Sequence, residues 1–347
     1  MRLTLFTFLS RSTQSCWGPP ARFHFMKSRA DVLKSVQAKI RLLHLALNTE
    51  DAYCGWVGRY YDFCLTLPKD WSPERKTEAF PTFLAAEEGV AAKTQNQALS
   101  ALLFLYGKVL RKPLGDIDAL RAKRPVHERT SPSREQVQAL RLAMKDQPNL
   151  PARLLVDLLY GCGLRVSEPL ELRVKDVLWS ENQLVIRGAK GAKDRRVPIP
   201  ACCAEPLRTQ MKFAQQVWES DRKNSPTIGV SLPHQLAKKY PSAPRARQWF
   251  WVFPAAHHCA HPRTGATVRY HVLHDLLQRA VHKAACLTGT EGLITPHVLR
   301  HAYATHSREP IEVLRLLMGH VSIETTAGYM HPLVSKATNP LDDMLKP

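Results

Sequence analysis

A pair of basic side chains in the C-terminal part of the chain, His297 and Arg300, has the spacing and the chemistry to act on a phosphate. They lie in residues 295–301 (TPHVLRH), and residues at i and i+3 share one face of a helix. A guanidinium fork can bind two oxygens, and a neighbouring imidazole can accept or donate a proton. The pair therefore suits phosphoryl transfer, in which charge spreads over the non-bridging oxygens. The alternative is a helix with two polar surface residues.

A second candidate is Arg165, in residues 160–169 (YGCGLRVSEP). The glycines predict a turn between two helices, with Ser167 as the N-cap of the second and Pro169 tolerated in its first turn. Backbone N–H groups and the helix dipole favour an anion at such a place, so a phosphate could be held by them and by Arg165 together. By itself, the turn is equally typical of an arginine on the surface.

Three more residues could take part. Lys190 lies in a glycine-containing turn between two predicted strands, residues 184–187 and 196–199, where a long ammonium could reach a ligand or could simply belong to the turn. His320 follows Gly319, which predicts a helix end, and Tyr329 lies in a second short helix, where a half-buried core tyrosine is the ordinary interpretation. None of these features is decisive singly.

Taken in order, these residues resemble the signature of the tyrosine recombinase (phage integrase) superfamily. That signature is an arginine in a G-x-G-x-R-x-S-E turn, a hairpin lysine, an H-x-x-R helix, a G-H pair and a tyrosine about nine residues later. Its six positions are filled by Arg165, Lys190, His297, Arg300, His320 and Tyr329. The resemblance implies a two-domain DNA clamp that is mainly α with a small β-sheet or hairpin in the C-terminal domain. It implies no metal, no ATP and no other cofactor.

The resemblance also assigns a role to each of the six side chains. Tyr329 would attack a DNA phosphodiester and form a 3′-phosphotyrosyl link, which keeps the bond energy for resealing. Arg165 and Arg300 would clamp the non-bridging oxygens. Lys190 would protonate the leaving 5′-oxygen, His297 would act as base toward the tyrosine, and His320 would donate a hydrogen bond to the phosphate.

A narrower resemblance concerns residues 231–243 (SLPHQLAKKYPSA) and 248–254 (QWFWVFP). They are similar to an insertion, here about residues 225–260, that integron integrases have and general Xer-type recombinases lack. In integron integrases this segment captures bases that protrude from a folded single-stranded site, and such bases are read by stacking. The matching positions are Trp249, Pro262, Tyr270 and His271, with Tyr270 standing where the family pattern has a histidine. Core packing is the alternative, above all for Phe250 and Trp251.

The integron resemblance implies a recombinase that integrates and excises gene cassettes. Its partners would be double-stranded attachment sites and folded single-stranded cassette sites, bound by a tetramer. Two alternatives stay open: a general Xer or phage-type recombinase, and a DNA-binding integrase with impaired catalysis. The impaired-catalysis alternative arises because residues 307–310 form a connection about three residues shorter than the one in family members. The missing residues amount to nearly one helical turn. Such a deletion could displace His320 and Tyr329 from the phosphate.

Hydrophobic periodicity indicates the elements that would position these side chains. Apolar residues at three-to-four spacing predict a helical domain over residues 28–115, with Thr49 as one N-cap, and the resemblance implies that this is a SAM-like DNA-binding domain. Residues 116–133 are a basic linker, which could be a solvated face or could follow a phosphate backbone. The resemblance implies that residues 134–347 form the catalytic domain, and the pattern predicts a helix after Ser133 and another over residues 151–160. Residues 1–27 are an extension, either disordered or preceding a start at Met26.

Composition limits the function classes. The 347 residues carry 49 Lys plus Arg against 30 Asp plus Glu, a net charge of +19, so a polyanion such as nucleic acid is the expected partner. No apolar run approaches the roughly 18–20 residues of a spanning helix, so no membrane role is expected. The 8 cysteines show no disulfide framework and predict a reducing cytoplasm. The resemblance implies that this is a bacterial cytoplasm, with nucleoid association when the protein is on DNA. Residues 257–261 (HHCAH) contain zinc-ligand types but no second pair, so a basic loop is expected there.

Overall fold

We describe the protein from a computed structural model, in which residues 28–115, 131–189, 193–224, 229–232 and 236–319 are described. The chain divides into two compact units, residues 1–127 and 128–347. The predicted N-terminal extension, residues 116–130 of the predicted linker, Lys190, His320 and Tyr329 lie outside the described residues. Within the described part, no helix has both the length and the apolar character needed to cross a membrane.

The first unit is helical. Its helices are α1 (Arg29–Leu42), α2 (Leu47–Thr66), α3 (Pro73–Ala86) and α4 (Ala92–Phe104), and the last continues as a π-helical turn, Leu105–Val109. Ser28 and Ser72 cap α1 and α3 through their side chains, as small polar residues do at helix starts. The predicted N-cap Thr49 is wrong, because α2 begins two residues earlier and Ala46 holds the cap position.

Buried aromatic residues form part of the core of this unit. Tyr60 and Tyr106 are 0% and 1% exposed, and their hydroxyl oxygens lie 2.9 Å apart. Tyr60 also contacts the Thr77 hydroxyl at 3.2 Å. The buried hydroxyls thus satisfy one another, which removes most of the cost of placing polar atoms in an apolar core.

The second unit combines helices with two small antiparallel sheets. Its helices are α5 (Arg134–Ala143), α6 (Ala152–Cys162), α7 (Ser167–Leu170), α8 (Ala201–Asn224), α9 (Leu236–Lys239), α10 (His274–Leu287), α11 (Pro296–His306) and α12 (Ile311–Met318). Its strands are β1 (Val177–Leu178), β2 (Gln183–Ala189) and β3 (Lys193–Pro198) in one sheet, and β4 (Pro254–Ala260) and β5 (Thr267–His271) in the other. The predicted fold class, mainly α with a small sheet and hairpin, is confirmed, and Leu184 pairs with Val197 across the predicted hairpin.

Helix α6 is the central element of the second unit. Leu155, Leu158 and Leu159 are each 0% exposed, and the helix packs against α5, α8, α10 and α11. It ends at Gly163, whose φ of 61° lies in the left-handed region that favours glycine. A Cβ at Gly163 would overlap the ring of Tyr303 on α11. Glycine therefore permits both the helix stop and the close approach of α11.

Candidate active site

A buried carboxylate, Glu168 on α7, holds two arginines in charge-assisted hydrogen bonds. Arg195 on β3 is bidentate, with Nη1 to Oε1 at 2.9 Å and Nη2 to Oε2 at 2.6 Å. Arg165, in the turn before α7, places Nη1 2.8 Å from Oε1 and donates its backbone N–H to Oε2 at 2.8 Å. The Arg300 guanidinium on α11 lies 3.9 Å from the same carboxylate. Both predicted arginines are thus brought to one centre.

The charges at this centre favour ionised Glu168. Burial raises the pKa of Glu168, but the hydrogen bonds and positive charge of Arg195, and then the hydrogen bonds of Arg165, outweigh burial and hold it below its usual value. The carboxylate is 7% exposed, and Arg195, Arg165 and Arg300 are 8%, 29% and 3% exposed. One buried negative charge therefore faces three cations, which leaves net positive charge for an anion such as a phosphate.

The C-terminal end of α12 contacts the same three arginines through its backbone carbonyls. Three consecutive carbonyls each accept one bond: Leu317 from Arg195 Nε at 2.6 Å, Met318 from Arg300 Nη2 at 2.6 Å and Gly319 from Arg165 Nη2 at 3.3 Å. Carbonyls at a helix end lack intrahelical partners and carry the negative end of the helix dipole, so cations stabilise them. The predicted helix stop at Gly319 is present, with a φ of 64°.

The predicted pair His297 and Arg300 lies on α11 as expected, but its two members differ in exposure. Thr295 caps the helix through its hydroxyl and Pro296 occupies the first turn. Arg300 is buried and donates a further bond to the Gly163 carbonyl at 2.6 Å. His297 is exposed, and its ring meets His301 edge-on with 4.4 Å between centroids. The arginine is therefore fixed within the fold while the histidine faces outward.

The short connection between α11 and α12 still delivers α12 to the arginines. Helix α11 ends at His306 and α12 begins at Ile311 after the N-cap Pro310. The His306 carbonyl accepts a hydrogen bond from Arg134 Nη2 at 2.6 Å, and the His306 ring places its Nδ1 2.9 Å from the Tyr160 hydroxyl. The end of α11 is thereby held to α5 and α6, and four residues suffice to reach α12.

The aromatic segment, residues 249–253, packs beside another buried arginine, Arg173. The Arg173 guanidinium donates to the carbonyls of Trp249 at 2.6 Å and Ser231 at 2.9 Å, and it lies 3.8 Å from the centroid of the Trp251 ring. Burial lowers the pKa of Arg173 to about 10. Trp251 is buried, whereas Trp249 is partly exposed, with Lys175 Nζ 2.9 Å from its ring centroid. Both tryptophans border a cavity of about 310 Å³ that Glu168 also lines.

The four predicted base-capture residues are not equally accessible. Pro262 is exposed in the turn between β4 and β5, and Trp249 and Tyr270 are partly exposed. His271 is 8% exposed, its ring stacks on Tyr270 with 4.3 Å between centroids, and its Nδ1 lies 2.8 Å from the Val272 carbonyl. Burial lowers the pKa of His271, which favours the neutral ring. In this arrangement His271 supports Tyr270 and offers no free face to a base.

The predicted basic loop at residues 257–261 is wrong in structure, because residues 254–260 form strand β4. His258 Nε2 lies 3.0 Å from Asp221 Oδ1, and Asp221 also binds Arg269 at 2.5 Å. Elsewhere among the described residues, side chains of the types that bind metals lie close together in two places. These are Asp157 with Cys202 and Cys203, and His282 with Cys286 and Glu291.

Sequence reasoning gave no role to Glu168 and did not single out Arg195. A signal for Glu168 existed, since it stands three residues after Arg165 in the helix start. Arg195 lies just after the hairpin turn. Its position in a strand does not indicate which distant carboxylate it will bind.

Comparison with known proteins assigns the chain to a family. The model of the phage integrase family matches residues 133–336, and that of the phage integrase N-terminal SAM-like domain matches residues 32–116. The chain belongs to the phage integrase family. As a member it is a tyrosine recombinase, an enzyme that cleaves and rejoins DNA strands.

The relatives agree over nearly the whole chain. An integrase/recombinase of Escherichia coli is 37% identical over 308 residues, which cover 87% of this chain and 89% of the relative. Tyrosine recombinase XerA of Thermococcus kodakarensis is 30% identical over 312 residues, covering 88% and 92%. Among solved structures, a lambda integrase tetramer bound to a Holliday junction has a TM-score of 0.56 at 14% identity, with 87% of this chain and 77% of that chain covered. The last likeness concerns the fold alone.

Proposed function

We propose that this recombinase is site-specific and acts through Tyr329, which forms a 3′-phosphotyrosyl intermediate with the cleaved strand. The observation that carries the proposal is the convergence of Arg165 and Arg300 at Glu168, under the end of α12. The chain runs from that end directly to His320 and then to Tyr329. A tyrosine delivered next to a double-arginine centre is what attack on a phosphodiester needs.

Arg165 and Arg300 bind the two non-bridging oxygens and stabilise the charge that grows on them. Their bonds to Glu168 and to backbone carbonyls fix both guanidinium planes before DNA arrives, so little ordering is required during the reaction. Arg165 is the more exposed of the two, at 29% against 3% for Arg300. Together the pair supplies the electrostatic part of catalysis.

Proton transfer falls to the remaining side chains. His297 is exposed on the same helix as Arg300 and accepts the proton of the Tyr329 hydroxyl. Lys190 protonates the 5′-oxygen that leaves, and His320 donates a hydrogen bond to the phosphate. The phosphotyrosyl bond retains the energy of the broken bond, and a 5′-hydroxyl reseals the strand without ATP.

The net charge of +19 supports DNA as the partner, because each phosphate that a Lys or Arg neutralises adds salt-sensitive affinity. We propose assembly as a tetramer on paired sites, as in the lambda integrase structure to which the fold is similar. The proposed setting is the bacterial cytoplasm, with the protein on nucleoid DNA when bound.

A nicked suicide substrate tests the chemistry. Cleavage next to the nick releases a short fragment, so the covalent protein–DNA adduct accumulates and can be counted on a denaturing gel. We expect an adduct with the unmodified protein, none with Tyr329→Phe, and a loss of about 10²–10³-fold with Arg165→Lys, which keeps the charge but loses the fork. DNA binding without any adduct would instead support the catalytically impaired reading raised by the short connection.

We propose further that the recombinase is of integron type. Support comes from Trp249, whose partly exposed ring lies beside Lys175 and next to the cavity above Glu168. An aromatic ring flanked by a cation can stack on an unpaired base while the cation meets its phosphate. Binding to a folded single-stranded hairpin with protruding bases, compared with a plain duplex of the same sequence, tests this. Equal preference for the two would favour a general Xer-type recombinase.

A further inference from the structure

We propose that Arg195 is a positioning residue of the recombination reaction. It fixes the end of α12 to Glu168, and this helix end is where the chain segment that carries His320 and Tyr329 begins. The proposal rests on the proposed function, since it concerns where those two residues are delivered. Arg195 belongs to β3 and is not among the six residues of the family signature.

Arg195 uses its whole guanidinium to join two elements. Both Nη atoms bind Glu168, at 2.9 and 2.6 Å, and the Nε donates to the Leu317 carbonyl at 2.6 Å. A planar fork can make these bonds together, whereas an ammonium on a flexible stem cannot. The side chain also packs under the helix end, because a Cβ at Gly319 would lie 3.1 Å from Arg195 Cδ. Leu317 stands three residues before His320 in the chain.

All three guanidinium nitrogens of Arg195 are bonded within the protein, to Glu168 and to the Leu317 carbonyl, so the proposal gives this arginine no DNA contact. It is 8% exposed and Glu168 is 7% exposed, so the pair faces the protein interior. Its strand neighbour Arg196 points the other way, is 58% exposed and pairs with the exposed Glu181. Since successive strand residues alternate between faces, the two arginines form a matched pair that differs in direction and burial but not in type.

The consequence for catalysis follows from chain geometry. The residues after Gly319 start from a helix end whose last three carbonyls are each held by an arginine. Arg165 and Arg300 also serve the phosphate, so Arg195 is the arginine of the three with no proposed contact to the reacting group. An error of 1 Å in the placement of a catalytic group can cost about 10²-fold in rate. Loss of the Arg195 fork should therefore slow cleavage without weakening DNA binding.

The experiment measures single-turnover cleavage of the nicked substrate at saturating DNA, together with DNA affinity and unfolding temperature, for Arg195→Gln, Arg195→Lys and the control Arg196→Gln. We expect Arg195→Gln to cleave about 10–100-fold more slowly, from the placement error. We expect its DNA affinity to stay within about twofold, because the Arg195 guanidinium is bonded to Glu168 and Leu317 and is assigned no phosphate to neutralise. Arg195→Lys keeps the charge, so it should fold and still lose about tenfold or more, because the fork is absent. Arg196→Gln should cleave at the unmodified rate.

Full-rate cleavage by Arg195→Lys overturns the proposal, and so does a loss of DNA affinity in Arg195→Gln well beyond twofold, which would show that Arg195 contacts DNA. An equal loss of rate in Arg196→Gln overturns it too, since the effect would then belong to surface charge. If the unmodified protein forms no Tyr329-dependent adduct, the proposed function fails and the inference fails with it. An adduct that forms normally in the unmodified protein and equally fast in the Arg195 variants removes the inference alone.

Discussion

Two arginine sites in the second unit, one around Glu168 and one around Arg173, are stabilised in different ways. At the candidate active site, Arg195 and Arg165 share the carboxylate of Glu168, whose pKa lies below its usual value because the arginines outweigh the effect of burial. In the aromatic segment, Arg173 donates to carbonyls and lies over Trp251, and burial lowers its own pKa to about 10. The first arrangement depends on one ionised residue. The second depends on carbonyl acceptors and ring packing, with the charges of Asp176 and Glu171 nearby, so removal of one carboxylate should affect the first far more.

The largest expected effect comes from Glu168→Gln, which removes the shared carboxylate. Breaking a buried ion pair by removing one partner costs about 3–5 kcal/mol, because the remaining charges are left without compensation. The free energy of unfolding from denaturant titration measures this loss. The control Glu181→Gln removes the exposed partner of Arg196 and should change it by less than about 1 kcal/mol.

The same variant carries a pH signature. The pKa of Glu168 is lower in the folded than in the unfolded chain, so its contribution to stability is complete above the unfolded pKa of about 4.3 and is lost as the pH falls through the folded pKa. Glu168→Gln should therefore flatten the acid limb of the stability curve. An acid limb as steep as in the unmodified protein would contradict the dependence on one carboxylate.

A second prediction concerns Gly163, the glycine that allows α11, which carries Arg300, to pack closely against the end of α6. Gly163→Ala places a side chain at positive φ and against the Tyr303 ring, and the two penalties together should cost about 2–4 kcal/mol. Gly188 has the same φ of 61° with nothing within 4 Å of an added Cβ, so Gly188→Ala should cost only the backbone part, about 1–2 kcal/mol. Equal unfolding free energies for the two variants would show that the Tyr303 contact is unimportant.

A third, smaller effect is expected in the aromatic segment from Arg173→Met. The carbonyls of Trp249 and Ser231 lose their donor, which costs about 1–3 kcal/mol, while the cost of burying the guanidinium disappears and offsets part of it. The net loss should be smaller than in Glu168→Gln, because no buried carboxylate loses its partners at the candidate active site. A larger loss in Arg173→Met than in Glu168→Gln would reverse the comparison between the two regions.

The smallest effect on folding should come from Trp249→Ala. Loss of its partly exposed ring and the contact with Lys175 should change the unfolding free energy by less than about 1 kcal/mol. Affinity for a hairpin with protruding bases should nevertheless fall several-fold, because stacking of one base contributes about 1–3 kcal/mol. Trp179→Ala is the control, a partly exposed tryptophan with Arg208 over its ring at 4.0 Å, and should leave hairpin affinity unchanged. Duplex affinity should be the same in all three proteins.

Local patterns predicted those parts of the molecule that local physics decides. The hairpin of β2 and β3, the helices after Ser133 and Pro151, and the stop at Gly319 follow from alternation, capping and glycine. Cap positions were less reliable. Ser167 was predicted as an N-cap but is the first residue of α7, after Val166, because the short helix begins inside a turn already held by Glu168.

The contacts that build the site were not predictable, because they join residues far apart in the chain. Glu168 meets Arg195 across 27 positions, and Arg165 meets Gly319 across 154. Spacing could place His297 and Arg300 on one helix face, but it could not show that Arg300 would be buried and His297 exposed. Likewise, the motif that suggested His271 as a stacking surface carries no information on the Tyr270 ring that covers it.

The three arginine bonds to the end of α12 have a consequence for the order in which the enzyme matures. Long-range contacts form late in folding because the connecting chain must first be ordered, and domains begin to fold from the N-terminal side during synthesis. The turn, the hairpin and α11 all precede α12, so the arginines meet their carbonyl partners only after residue 319 has left the ribosome. The newly made chain thus completes its N-terminal helical unit first and the contacts around Glu168 last, and a chain that ends before residue 319 lacks the bonds that join the end of α12 to the three arginines.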